Sequence, residues 1–239
     1  MKILILTALF PPLGYSGHDA RCRQVTYELA RRGHRVQVLT SSHRVPAMGM
    51  PGESAIFRHL GLTSDNRSTQ PPFNSILERE RENAEILQQR IQRFSPDAIY
   101  IWNVSGLPNS LIFIAQDSGV PVIFDVHTPW LLPENFQKDP WLHWWTVRGD
   151  LFTKFKRLRL FLTGQAWSLK RKMPVETVDA IDLKRSFVCS QSLKDRVVSA
   201  GLKDFEQAEV MHPAINNKDI VHKTDYSHRQ KFMWAGRLV

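Results

Sequence analysis

KILILTALFPPLGYSGHDARCRQVTYELARRGHRVQVLT, residues 2–40, sets out a strand, a glycine-bearing loop, a helix and a second strand in that order. KILILTALF (2–10) is short and continuously apolar after Lys2, as a strand covered on both faces is. From Gly17 to Arg32 apolar residues such as Val25 and Leu29 recur on one side of a helix, and Gly33 provides its stop. RVQVLT (35–40) alternates as a second strand until it meets Ser41-Ser42. Lys2 ahead of an apolar stretch also fits a signal peptide. However, Pro11-Pro12 follow directly, no small-residue cleavage site is clear, and a helical pattern comes next, so a buried first strand is the better reading.

Working outward, the same cycle repeats. Residues 43–74 are punctuated by prolines and glycines, with AIFRHL (55–60) as a strand. Leu77, Ala84, Leu87, Ile91 and Phe94 then mark a long amphipathic helix. DAIYIW (97–102), a helix over 108–118 and VPVIFDVH (120–127) give another strand–helix–strand unit. RSFVCS (185–190), SLKDRVVSAGL (192–202) and AEVMHPAIN (208–216) continue the alternation. The fold class expected is α/β, a Rossmann-like doubly wound parallel sheet, with ligands at the carboxyl ends of its strands.

Composition narrows the function classes. Apolar residues make up 42% of 239, enough for a real core. No apolar run reaches the about 18–20 residues of a transmembrane helix. Cys22 and Cys189 form neither a metal spacing nor a disulfide framework, which fits a reducing, cytoplasmic setting; no metal or other cofactor is expected. The formal charge of +9 is local, since residues 151–172 hold seven Lys/Arg and no acidic residue. Elsewhere 25 basic residues face 23 acidic ones, and no recognised motif accompanies the cluster, so nucleic-acid binding is not expected.

Candidate site residues lie in loops after strands. Gly14 and Gly17 flank a tight turn, and Gly17 opens a helix whose free amides attract anions, although no G-x-G-x-x-G is present. Ser16 precedes it, and His18 and Asp19 sit at the helix start, where a cap or a binding role would each explain them. Asp125 and His127 are two apart on a strand and share a face, and a carboxylate beside an imidazole is the pairing a general base requires. A histidine anchoring the following loop is the plainer alternative. Ser190 is placed to cap the next helix. Trp144, Trp145, Lys154, Lys156, Arg157 and Arg159 belong to an aromatic and basic stretch. There Phe152, Phe155, Leu158 and Leu162 fall at helical spacing. Such a helix either lies on an anionic membrane or packs its stripe into the domain.

Several of these pieces together resemble the retaining glycosyltransferases of the GT-B, family-4 type. They are FPPLGYSGHDARCRQVTYELARRGHRVQVLTS, the strand-end histidine, FVCSQSLKDRVVSAGL, VMHPAIN and FMWAGRLV. RRGHRV (31–36) and the terminal GRL are the strongest signals, and the middle of the chain matches loosely. The resemblance implies an amino-terminal acceptor-binding domain, residues 1–216, followed in 217–239 by the hinge and first strand of a nucleotide-sugar-binding domain. It implies hexosyl transfer from a nucleotide-sugar, bound through that second domain, to a sugar, lipid-linked or polysaccharide-precursor acceptor. Little or no turnover is then expected of the 239 residues alone. The cysteine usage and the aromatic–basic stretch, not the resemblance, give the expected location: cytoplasmic, peripheral to the inner face of the membrane. The resemblance gives His127 contact with the donor sugar or reacting centre, Gly17 a place near the donor phosphates, and Arg237 the pyrophosphate. Ser16-Gly17 replaces the family's frequent glycine pair, and Pro213-Ala214 replaces an asparagine-glycine pair. A membrane-peripheral binding module that recruits a separate donor-domain partner is the alternative reading.

Overall fold

The computed structural model describes residues 1–12, 16–43, 54–63 and 71–213. The strands are β1 (Lys2–Leu6), β2 (Arg35–Ser41), β3 (Ile56–Leu60), β4 (Ala98–Ile101), β5 (Val122–Val126), β6 (Ser186–Val188) and β7 (Glu209–Val210). The helices are α1 (Gly17–Arg31), α2 (Phe73–Phe94), α3 (Ser110–Asp117), α4 (Pro133–Phe136), α5 (Pro140–Thr146), α6 (Leu151–Leu162), α7 (Gln165–Lys172) and α8 (Gln191–Ser199).

All seven strands are parallel, in the order β3-β2-β1-β4-β5-β6-β7. The order reverses between β1 and β4, so the loops leaving these neighbours diverge and open a crevice at their carboxyl ends. Period two within β1 divides the core. Ile3 and Ile5 pack with Val36, Val38, Cys22 and Trp102 on the α1 side. Leu4 and Leu6 pack with Leu39, Ile99 and Ile101 on the face that α2 and α3 cover. Burial on both faces is why the strands read as apolar runs rather than alternating ones.

Local signals agree with these boundaries. Ser16 and Asp19 form a reciprocal capping box at the start of α1. Gly33 leaves its end at φ +87°, a conformation that favours glycine. On α2 the buried side is more polar than its apolar repeat suggests: Glu80 and Asn83 are buried, whereas Leu77 and Ile91 are only partly so. Asn83 pairs with both the N–H and the C=O of Gly61 at 2.8 Å, closing the exit of edge strand β3.

The stretch 141–172 forms three helices, and the six residues expected as a membrane or acceptor patch have different surroundings in them. Trp145 belongs to the core at 8% exposure, edge-on to Trp141, and half-buried Trp144 packs on Phe73 with ring centres 4.1 Å apart. Lys156 lies over the Phe73 ring at 4.2 Å. Arg157 covers Trp144 and donates to the carbonyls of Trp144 and Val147. These cations face the protein because aromatic rings and helix-end carbonyls offer partners there. Lys154 and Arg159 are exposed. In the expected strand 208–216, Glu209–Val210 joins the sheet, the only part to do so among the described residues. Gly14, Arg237 and the segment 217–239 lie outside the described residues.

Candidate functional site

The crevice is walled by α1, which follows β1, and by the ends of β4 and β5. Ser16 holds the helix start: its Oγ donates to Asp19 Oδ2 at 2.6 Å and accepts from Asp19 N at 3.2 Å. The Asp19 carboxylate also accepts from Ser16 N, so the positive helix end is already answered in part by an internal anion. Gly17 is exposed, its φ is not positive, and a Cβ there would meet nothing within 4 Å among the described residues.

One helical face, His18, Arg21 and Cys22, points at the strand ends. His18 packs between Trp102 and His127, with ring centres 5.2 and 4.8 Å away. Neither of its nitrogens has a hydrogen-bond partner among the described residues. Burial, reinforced by the neighbouring His127, lowers its pKa to about 4 although Asp19 and Asp125 pull the other way. It is therefore neutral at physiological pH. Burial likewise pushes the Cys22 thiol up, which makes it an inert core residue.

Across the crevice Asp125 is 1% exposed and holds the centre. Tyr100 O–H donates to its Oδ2 at 2.7 Å. Its Oδ1 lies 2.6 Å from His127 Nε2 and 3.7 Å from Arg21 Nη1, without a well-aligned hydrogen bond of its own. Arg21 Nη1 also contacts His127 Nε2. Burial pushes the Asp125 carboxyl up, but His127, the Tyr100 hydroxyl and the Arg21 charge outweigh it, and the group stays below the usual carboxylate range. The result is a buried anion flanked by an imidazole and a guanidinium at the mouth of a cleft. Nε2 can accept from Arg21 or donate to Asp125, and its proton decides which. That pairing suits a histidine presented in one orientation to a polar group of a ligand.

Directly beyond His127, Thr128 opens a cavity of about 330 Å³, lined also by Thr63, Ser105, Asn135, Lys138 and Asp139. Thr128 Oγ1 and the Nε1 of Trp130 in its wall are buried without partners among the described residues. Asp139 accepts from Leu142 N at 2.8 Å and Asn109 N at 3.1 Å, while burial raises its pKa to about 6. Among the described residues no group of three or more His, Cys, Asp or Glu side chains is arranged to hold a metal ion.

Of the residues expected from sequence, Ser16, Gly17, His18, Asp125 and His127 come together at this crevice. Ser190 sits nearby at the end of β6 and caps α8, accepting from Leu193 N at 3.3 Å. The patch residues Lys154 and Arg159 belong to a separate surface. Arg21, Tyr100 and Trp102 were not foreseen. The i, i+3, i+4 spacing of His18, Arg21 and Cys22 was the available signal for Arg21.

A parallel α/β sheet with a crevice at its strand-order reversal defines a Rossmann-like domain. Residues 16–166, well over half of the chain, match the model of the Glycosyl transferase 4-like domain, and the chain belongs to that family. Similar solved structures include the glycotransferase of kitacinnamycin, 16% identical with a TM-score of 0.49, covering 95% of this chain and 54% of that one. Sucrose-phosphate synthase from Thermosynechococcus elongatus is 11% identical with a TM-score of 0.46, covering 91% and 49%. MurG of Acinetobacter baumannii is 13% identical with a TM-score of 0.35, covering 52% and 34%. The chain thus spans between about a third and about half of the length of these proteins. No curated protein matches it in sequence.

Proposed function

We propose that these residues form the acceptor-side domain of a retaining glycosyltransferase that moves a sugar from a nucleotide-sugar to a lipid-linked or polysaccharide-precursor acceptor. The observation that carries this reading is the Asp125–His127–Arg21 cluster at the mouth of the crevice, with a cavity of about 330 Å³ starting at the next residue. In such a transfer the bond from the anomeric carbon to the phosphate oxygen breaks. The acceptor hydroxyl oxygen bonds to that carbon and gives its proton to the departing phosphate, and a nucleoside diphosphate leaves as an anion. Stabilising that developing charge is the main demand.

Each residue has a part. His127, fixed by Asp125, meets a sugar hydroxyl or the reacting centre. Arg21 and the amide of Gly17 supply positive potential toward the departing phosphate, a task the Arg237 guanidinium fork shares in the family-like arrangement. The cavity beside Thr128 takes the acceptor. The donor is held largely by a second domain.

The test is release of nucleoside diphosphate from a panel of nucleotide-sugars by the native polypeptide carrying this domain, with lipid-linked and polysaccharide acceptors. Acceptor-dependent release from one donor is the expected result, with little turnover by the 239 residues alone. No release from any donor in the panel would sink the reading.

A further inference from the structure

Helix α6 is turned inside out. A surface helix ordinarily buries its apolar stripe, yet no residue of α6 is buried. Leu151, Phe155, Leu158 and Leu162, spaced i, i+4, i+7 and i+11, form one ridge and are 84%, 69%, 54% and 79% exposed. The side that meets the domain instead carries Lys156, Arg157 and the partly buried Leu160. Asp150 fixes the helix start, accepting from Thr153 N at 2.8 Å.

Phe152 and Phe161, also exposed, flank the ridge, and by helical position Lys154 and Arg159 stand on its two edges. After Gly164, α7 leaves Trp167, Lys170, Arg171 and Lys172 exposed while burying Ala166, and the Lys170 Nζ lies 4.8 Å from the ring centre of buried Trp145. Lys170 Nζ lies 5.7 Å from the Phe161 ring centre, which ties the two helices together. A contiguous apolar surface of this kind on a soluble domain marks an interaction site. Its charge decides the occupant. Protein interfaces are depleted in lysine, whereas residues 151–172 hold seven Lys/Arg and no carboxylate.

We propose that α6 and α7 dock on an anionic lipid bilayer. The Leu151–Phe155–Leu158–Leu162 ridge enters the headgroup–acyl boundary, and Lys154, Arg159, Arg171 and Lys172 meet anionic headgroups. This goes beyond the transfer reading and needs no nucleotide-sugar, so either can fail without the other.

The experiment is flotation of the 239-residue chain with phosphatidylcholine vesicles, with and without phosphatidylglycerol. Binding is expected to the anionic vesicles and to weaken as salt is added. Lys154→Gln with Arg159→Gln should lower the partition about 30-fold, at roughly fivefold for each cation. Phe155→Ser with Leu158→Ser, at positions that support no core, should abolish it. A wild-type chain that stays in the aqueous fraction, or binds both vesicle types equally and independently of salt, overturns the proposal. So does a self-associated chain that floats with neither and becomes monomeric on Phe155→Ser, since the ridge is then a protein interface.

Discussion

The two oxygens of Asp125 have different neighbours, Tyr100 O–H on one side and the His127–Arg21 pair on the other. Asp125→Asn keeps the shape and the Tyr100 contact but leaves the guanidinium without its compensating charge and the imidazole without its anchor. Turnover should fall by about 10²–10⁴, the usual worth of a positioned acid–base pair, and Tm should fall as well, because the nearly buried Arg21 charge loses its partner. A variant as active as wild type in the donor-release assay would remove Asp125 from the account. His18 supplies a pH prediction. Its folded pKa, about 4, is depressed from 6.5, so its contribution to stability is present above pH 6.5 and is lost as pH falls through about 4. His18→Phe should therefore flatten the fall in Tm across that window, and thermal melts that run parallel for the two proteins would contradict this. Asp125 and His127 were legible because strand alternation alone puts them on one face. Arg21 was not, because its partners lie more than a hundred positions away and only the parallel crossover brings them to it.

At the scale of elements, helix ends were easier to read than helix faces. The Ser16/Asp19 box starts α1 where the sequence says, and Ser16→Ala should cost roughly 0.5–2 kcal/mol, measured by denaturant unfolding. No loss would mean that the box is redundant with the packing of His18 and Cys22. The faces of α2 and α6 show the limit of periodicity. Apolar spacing on α2 conceals that Glu80 and Asn83 point inward, where Ser110 and the exit of β3 give them partners. On α6 the stripe is legible but its direction is not. Amphipathicity says that two faces differ, while the aromatic surface of Phe73 and Trp144 decides that the cationic face turns inward.

Across the whole molecule, Glu80 on α2 links three elements: it accepts from Ser110 of α3 at 2.6 Å and lies near Asp139 at the start of α5. Burial, with Asp139 adding to it, raises its pKa well above 4.5, so Glu80 is favoured in its neutral form. Because the folded value is the higher one, the contribution of Glu80 to stability is complete below pH 4.5 and is lost as pH rises through the folded pKa. Glu80→Gln should raise Tm more at mildly alkaline than at mildly acidic pH, and a pH-independent difference would contradict the buried-acid assignment. The sheet order, the crevice and the cavity beside Thr128 all converge on His127. The most direct measurement is therefore the rate of nucleoside diphosphate release by the native polypeptide carrying His127→Ala, set against wild type on the same donor and acceptor. The account predicts a fall of at least about 100-fold in kcat in a protein that still folds. Turnover unchanged by the loss of this imidazole would show that the chemistry happens elsewhere.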